Sequence, residues 1–212
     1  MSLGRLLALV APPLCVACGS SCRVHEPLCA VCRRQLRWLG RDQPPAAVPV
    51  WAAVSYEGPA RALVRTLKFG GAVRLVDTMA AQMAANAPPG FFEGATLVPV
   101  PLHRARRRRR GFNQAEELAS ALSARSGLAV ADCLERVSAV ARTSQVGRTR
   151  ADRLAALAGS VRLRAGVPVP LRALLVDDVV TTGATLAACA SALASAGVRE
   201  VRAVAYARTP GR

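Results

Sequence analysis

Five of the seven cysteines of this 212-residue chain fall between positions 15 and 32. Cys15 and Cys18 form one Cys-x-x-Cys, and Cys29 and Cys32 form another. Each knuckle is a tight turn that points two sulfurs at one ion, and the pair offers the four thiolates that tetrahedral zinc requires. Gly19 follows the first knuckle, where a backbone with positive φ is often needed. A disulfide cluster would imply export. A redox dithiol would need a strand before it and a helix after it, and would not come twice. Cys22 and His25 lie close enough in sequence to replace a ligand, with Cys22 read as a spectator. Four protein ligands leave no position open for chemistry, so the metal's role is structural. Zinc in a small finger contributes about 10–16 kcal/mol, more than so short a segment gains from its own core. Reduced thiolates point to the cytoplasm.

The second constellation is Asp177-Asp178-Val179-Val180-Thr181-Thr182-Gly183-Ala184-Thr185, which follows the apolar run Ala173–Val176 and leads into a helical pattern. Residues 181–185 surround the opening of that helix, where unpaired amides and the helix dipole favour an anion. Gly183 permits close backbone approach to a phosphate, and three threonine hydroxyls add donors. Carboxylates repel phosphate, so Asp177 and Asp178 need another task. Their acceptors suit vicinal sugar hydroxyls, or magnesium held indirectly. Together these residues suit a ribose 5-phosphate. Neither G-x-x-x-x-G-K-[ST] nor G-x-G-x-x-G is present.

The chain carries 29 basic and 13 acidic side chains, a formal charge of +16. That excess implies an anionic partner, whether nucleic acid, a polyphosphate metabolite or a membrane surface. Six arginines lie between His103 and Arg110. They suit a diphosphate or single-stranded DNA, although aromatics at 4 % and Phe112 as the one aromatic beside the run make a thin stacking platform. His103 reads as polar rather than catalytic. No apolar run reaches the ~18 residues of a membrane span. Leu6–Leu14 imitates a signal peptide, but Pro12 and Pro13 break it, which leaves a short amphipathic helix.

The elements that must position these residues alternate between strand and helix. With 52 % hydrophobic residues a sizeable core is affordable and general disorder is excluded. Val50–Tyr56 reads as a first strand, and Leu63, Val64 and Leu67 as a helix stopping near Phe69-Gly70-Gly71. Leu75, Met79 and Met83 form a helical core stripe. Thr96–Val100 is a strand closed by Pro101, and Asn113 with Glu116 starts a helix that Gly127 ends. Residues 136–153 read as a mobile loop with a helical end at 150–158. Ala173–Val176 is a strand buried on both faces of a parallel sheet, followed by a helix to Gly197 and a strand at Val201–Tyr206. Trp38 and Trp51 should pack the seam between modules, and Cys133 and Cys189 should be small buried hydrophobes. The expected fold is α/β, a mainly parallel sheet flanked by helices, with a four-cysteine zinc finger. Prolines 44, 45 and 49 put the boundary near residue 48, giving an N-terminal helix, finger and linker over 1–48 and a second domain over 49–212.

The stretch Val176–Thr185 resembles the phosphoribosyl diphosphate (PRPP) signature of type I phosphoribosyltransferases. The paired knuckles, Leu67-Lys68-Phe69, Val98-Pro99-Val100-Pro101 and Arg110-Gly111-Phe112-Asn113-Gln114 are similar to the ComF family of competence-associated phosphoribosyltransferase-like proteins, over nearly the whole chain. The resemblance implies a type I phosphoribosyltransferase-like fold with Asp177 and Asp178 on the ribose and Thr181, Thr182, Gly183, Ala184 and Thr185 on the 5-phosphate. It implies Mg²⁺ accompanying PRPP, and the segment after Pro101, including Arg110, near the diphosphate. Gln145 and Arg153 would belong to the loop. Ala156 departs from the family, which often has Asn there. No general base can be named. Because one fold carries many functions, two readings stay open. One is transfer of a 5-phosphoribosyl group to or from a nitrogen acceptor. The other is a non-catalytic DNA-uptake accessory that binds single-stranded DNA or senses PRPP beside competence-machinery proteins.

Overall fold

The structure is a computed structural model that describes residues 13–70, 74–137 and 160–211. Its centre is a four-stranded, wholly parallel sheet in the order β1 (Val50–Ser55), β6 (Glu200–Arg208), β5 (Arg172–Val180), β2 (Thr96–Pro99). A parallel sheet needs a crossover between neighbours and therefore cover on both faces. Alternation along the strands divides the core. Leu174, Val176, Val204 and Tyr206 face one layer, and Ala173, Leu175, Ala203 and Ala205 the other. The first layer is closed by α2 (Gly58–Gly70), α3 (Arg74–Asn86) and α5 (Gln114–Ser126) through Leu63, Leu67, Met79, Met83, Leu118 and Leu122. The methionine stripe is thus ordinary core, fully buried. The second layer is closed by α6 (Ala184–Ala194) and by an antiparallel pair, β3 (Leu134–Arg136) with β4 (Val161–Leu163). Cys133 and Cys189 are buried there.

The arginine run forms a short helix, α4 (Arg104–Arg110). The His103 side chain accepts from the Ala105 amide, and Gly111 closes the helix at φ +82, a left-handed conformation that favours glycine. No residue of α4 is buried. Its periodicity was invisible because every position but one is arginine.

The N-terminal module leads into the sheet without a gap in packing. Cys29 caps α1 (Ala30–Arg34), which brings Cys32 round to the same side as Cys29. Cys15, Leu28, Cys32 and Leu36 belong to the same apolar cluster as Trp51 and Val54 of β1. Residues 37–39 run antiparallel to the free edge of β1, with Leu39 N–H donating to Ala53 O and Ser55 N–H to Arg37 O, both at 2.9 Å. Trp51 is buried against Phe91, whereas Trp38 is 41 % exposed on that edge, so of the two tryptophans only Trp51 fills the seam.

The segment read as a spacer is fastened down. The Gln43 amide donates to Ala52 O at 2.8 Å and accepts from Ala52 N–H at 3.1 Å, which imitates one rung of a β-ladder. Arg208 donates to the carbonyls of Pro44 and Val50. Gln43→Ala is expected to cost about 1–3 kcal/mol, since it leaves two backbone groups of Ala52 without partners. Denaturant titration measures the loss, and limited proteolysis should cut faster within residues 39–46. Unchanged values would show that the linker is held by other contacts.

Candidate functional site

The C-terminal ends of the parallel strands converge on one edge, where open α/β sheets bind ligands. β5 runs on through both aspartates to Val180, so Asp177 and Asp178 sit within the last turns of a hydrogen-bonded strand. Strand alternation sends the two side chains to opposite sides. Asp177 lies among the second-layer residues and lines two cavities; its Oδ1 accepts from the Asp178 amide at 2.8 Å. Asp178 is 6 % exposed and faces α2, where Lys68 Nζ meets its Oδ1 at 3.0 Å. Its Oδ2 is buried with no hydrogen-bond partner among the described residues.

Beyond the strand, Gly183 has φ +74, which a side chain would strain, and it opens α6 without a side-chain cap. Thr182 Oγ1 reaches the Ala184 amide at 3.4 Å, and Ala187 is the first residue to donate back to Gly183 O. The amides of the first turn therefore aim outward round a small hollow of about 40 Å³ lined by Asp177 and residues 179–186. Thr181 and Thr182 are exposed at its lip.

On one side of this hollow is a cavity of about 170 Å³. Asp177, Asp178 and Thr185 line it with four cations: Lys68 from α2, Arg106 and Arg110 from α4, and Arg136 from β3. Arg110 Nη1 donates to Gln114 Oε1 at 2.9 Å, which fixes the amide so that Gln114 Nε2 is the outward donor. That Nε2 and Arg110 Nε are buried without partners, as is Asp178 Oδ2. Burial pulls Arg110 below the usual guanidinium range, and Asp178 pulls it back up. The Phe69 ring packs against its guanidinium at 5.5 Å. Asn113 caps α5 and ties it to β2 through Val100 O at 3.1 Å, which holds the α4–α5 corner over the site. On the other side is a larger cavity of about 620 Å³, walled by Val180–Gly183, floored by Ser55, Arg208 and Thr209, and roofed by the linker at 39–46.

The structure thus brings Asp177, Asp178, residues 181–185 and Arg110 to one edge. Gln145, Arg153 and Ala156 lie outside the described residues. Sequence reasoning passed over Lys68, Gln114 and Arg136, of which the lone lysine was the detectable signal. The cysteine cluster is elsewhere. Sulfurs of Cys15, Cys18, Cys29 and Cys32 lie within 4.8 Å of one another, a set that can hold a metal ion. Cys22 is outside that set and bonds to Ser20 O. Burial, then its neighbouring thiols, push Cys22 up to about 11. Burial also works against Cys15, but the amides of Cys29, Ala17 and Cys18 outweigh it and bring the thiol down to about 6, suited to ligation.

Burial, and then repulsion from Asp178, push Asp177 up to about 7 against the pull of Lys68 and Arg136. A carboxyl raised above its unfolded value, about 4, binds its proton more tightly in the native state. Its contribution to stability therefore falls as pH rises from about 4 through the folded value. Asp177→Asn is expected to melt above the parent at pH 8, with the gap closing towards pH 4. Melting curves across that range measure it, and a gap independent of pH would contradict the assignment.

Residues 71–212 match the phosphoribosyl transferase domain family. Competence protein F of Haemophilus influenzae is 29 % identical over 208 residues, covering 92 % of this chain and 85 % of that protein. DNA utilization protein YhgH of Escherichia coli K12 is 29 % identical over 210 residues, covering 92 % and 90 %. Competence protein ComFC of Streptococcus pneumoniae is 34 % identical over 112 residues, covering 53 % and 47 %. Among solved structures, a hypoxanthine phosphoribosyltransferase from Staphylococcus aureus aligns at 17 % identity with a TM-score of 0.36 over 64 % of each chain. The chain belongs to the phosphoribosyl transferase domain family, as a ComF-type member with an N-terminal four-cysteine module.

Proposed function

We propose that the chain binds PRPP at the C-terminal edge of its sheet and passes the 5-phosphoribosyl group between diphosphate and a nitrogen acceptor. One observation carries this reading. The cavity beside the helix tip holds three buried atoms without partners, two donors (Arg110 Nε and Gln114 Nε2) and one acceptor (Asp178 Oδ2). A complementary ligand must supply acceptor oxygens and a hydroxyl, which a ribose carrying phosphates does. The 5-phosphate would sit on residues 181–185, the sugar hydroxyls on Asp177 and Asp178, and the diphosphate against Arg106 and Arg110.

Departure of diphosphate breaks the bond at the anomeric carbon, with the electron pair leaving on diphosphate oxygen, and the acceptor nitrogen closes the new bond. Cations aimed at the leaving oxygens stabilise the charge that develops there. The aspartates hold the sugar so that its anomeric carbon lies between diphosphate and acceptor. The cavity under the linker has the size of a small-molecule site and is the space for the acceptor. Residues 1–48 would then serve as finger and cover, and 49–212 as the transferase-like domain. Magnesium keeps much of its water and binds phosphate oxygens. Four cations crowd the smaller cavity, so the ion fits as one carried in with the diphosphate, where it would neutralise charge on the leaving group. The four-cysteine set fits zinc, which closes all four positions and serves folding.

PRPP with Mg²⁺ should raise the melting temperature, and Thr182→Asp should abolish the rise by setting a charge against the phosphate. An undiminished rise in that variant would move the ligand elsewhere. Metal analysis of reduced protein should give about one zinc per chain, and none would remove the finger.

A second reading rests on the outer face of α4. Arg107 pairs with Glu116 and Arg104 with Glu135, but Arg108 and Arg109 meet no acidic partner among the described residues. The relatives' names, competence and DNA utilization, suggest single-stranded DNA as the partner of that face. Each phosphate contact on a single strand adds about −0.7 to the log–log salt slope, so Arg108 and Arg109 alone would give about −1.4 and all six arginines of the run about −4. A slope near zero would exclude it.

A further inference from the structure

Twenty-eight of the 29 basic side chains are arginine, and the single lysine is Lys68. Whatever biases this chain towards arginine has acted at every other cationic position. Lys68 lies in the last turn of α2, beside the buried Leu67, and meets Asp178 at the phosphoribosyl site. Its side chain is 21 % exposed and that of Asp178 is 8 % exposed.

The two cations differ in how they meet a carboxylate. Guanidinium is a planar fork that engages both oxygens, whereas an ammonium is a point charge that can hold one and leave the other. Lys68 touches only Oδ1 of Asp178, and Oδ2 stays buried, unpartnered and on the wall of the cavity. Lys68 also lines that cavity, so a bulkier head group would take up part of its 170 Å³.

We propose that Lys68 is a positioning residue of the phosphoribosyl site: its ammonium holds Oδ1 of Asp178 and keeps Oδ2 open to a sugar hydroxyl, which an arginine at this position would occupy. The inference rests on the reading of the site as one for PRPP. It assigns Lys68 a task performed through Asp178 and not through the diphosphate. It also explains why charge alone is insufficient at this position in a chain otherwise built with arginine.

The test is calorimetric titration of the full-length, zinc-loaded protein with PRPP and, separately, with inorganic diphosphate, both with Mg²⁺. In Lys68→Arg the melting temperature should stay near the parent's, because the buried carboxylate keeps a cation. Affinity for PRPP should fall roughly tenfold or more, the scale of one lost hydrogen bond to a charged group. Affinity for diphosphate, which has no sugar hydroxyl, should change by less than about threefold by the same reasoning. Lys68→Ala provides a second route. Propylammonium should restore PRPP binding to it, and propylguanidinium should not. Full PRPP affinity in Lys68→Arg would overturn the proposal, as would equal losses for both probes, which would put Lys68 on the diphosphate. Equal rescue of Lys68→Ala by the two cations would overturn it too. Parent protein that binds diphosphate but not PRPP would instead overturn the reading of the site, and this inference with it.

Discussion

Two carboxylates in succession on a buried parallel strand repel one another, and the C-terminal edge of this sheet is arranged round that repulsion. Asp177 and Asp178 cannot move apart, because both lie within β5, which stays paired with β6 as far as Val180 and with β2 up to Val176. Relief comes from other elements: Lys68 at the end of α2, Arg110 from α4 and Arg136 from β3. The cations come from two crossovers, Lys68 from the one between β1 and β2 and Arg110 and Arg136 from the one between β2 and β5, so the site exists only when the whole α/β unit is folded. The arrangement leaves Asp177 poised near neutrality and Asp178 with one oxygen uncommitted. An uncommitted buried oxygen is uncommon, since ordinary cores satisfy their polar atoms.

The N-terminal module matters to the same edge. Its knuckles share an apolar cluster with β1, and its linker is fastened by Gln43 and Arg208 over the ends of β1 and β6. Cysteine cluster, linker and cavity are therefore mechanically continuous. A metal that orders the knuckles would also order the roof of the larger cavity. This is a physical reason for a four-cysteine module and the cavities at the strand ends to share one chain.

Much of this arrangement was legible before the fold. Ala173–Val176 is apolar without alternation, which only a strand covered on both faces tolerates, and the Asp-Asp-Val-Val-Thr-Thr-Gly run after it sets its acids at the strand end and its threonines at the opening of the next helix. The knuckles announce themselves by spacing, and the Asn113 cap by its acidic residue three positions on. Local patterns could not show contacts made across the chain. Lys68 meets a residue 110 positions away, and Gln43 reads as one more polar residue in a proline-rich spacer. The hairpin β3–β4 is two three-residue strands, too short for alternation to register. In α4 the arginines erase the contrast between faces on which helical periodicity depends, and only the His103 cap and Gly111 betray its ends.

The most direct measurement is a crystal structure of the protein with PRPP and Mg²⁺. The account expects the 5-phosphate within hydrogen-bond distance of the amides at 181–185, a sugar hydroxyl on Asp178 Oδ2, and diphosphate in the same cavity against Arg106 and Arg110. Density for PRPP at any other place, with Asp178 Oδ2 still unpartnered, would contradict it.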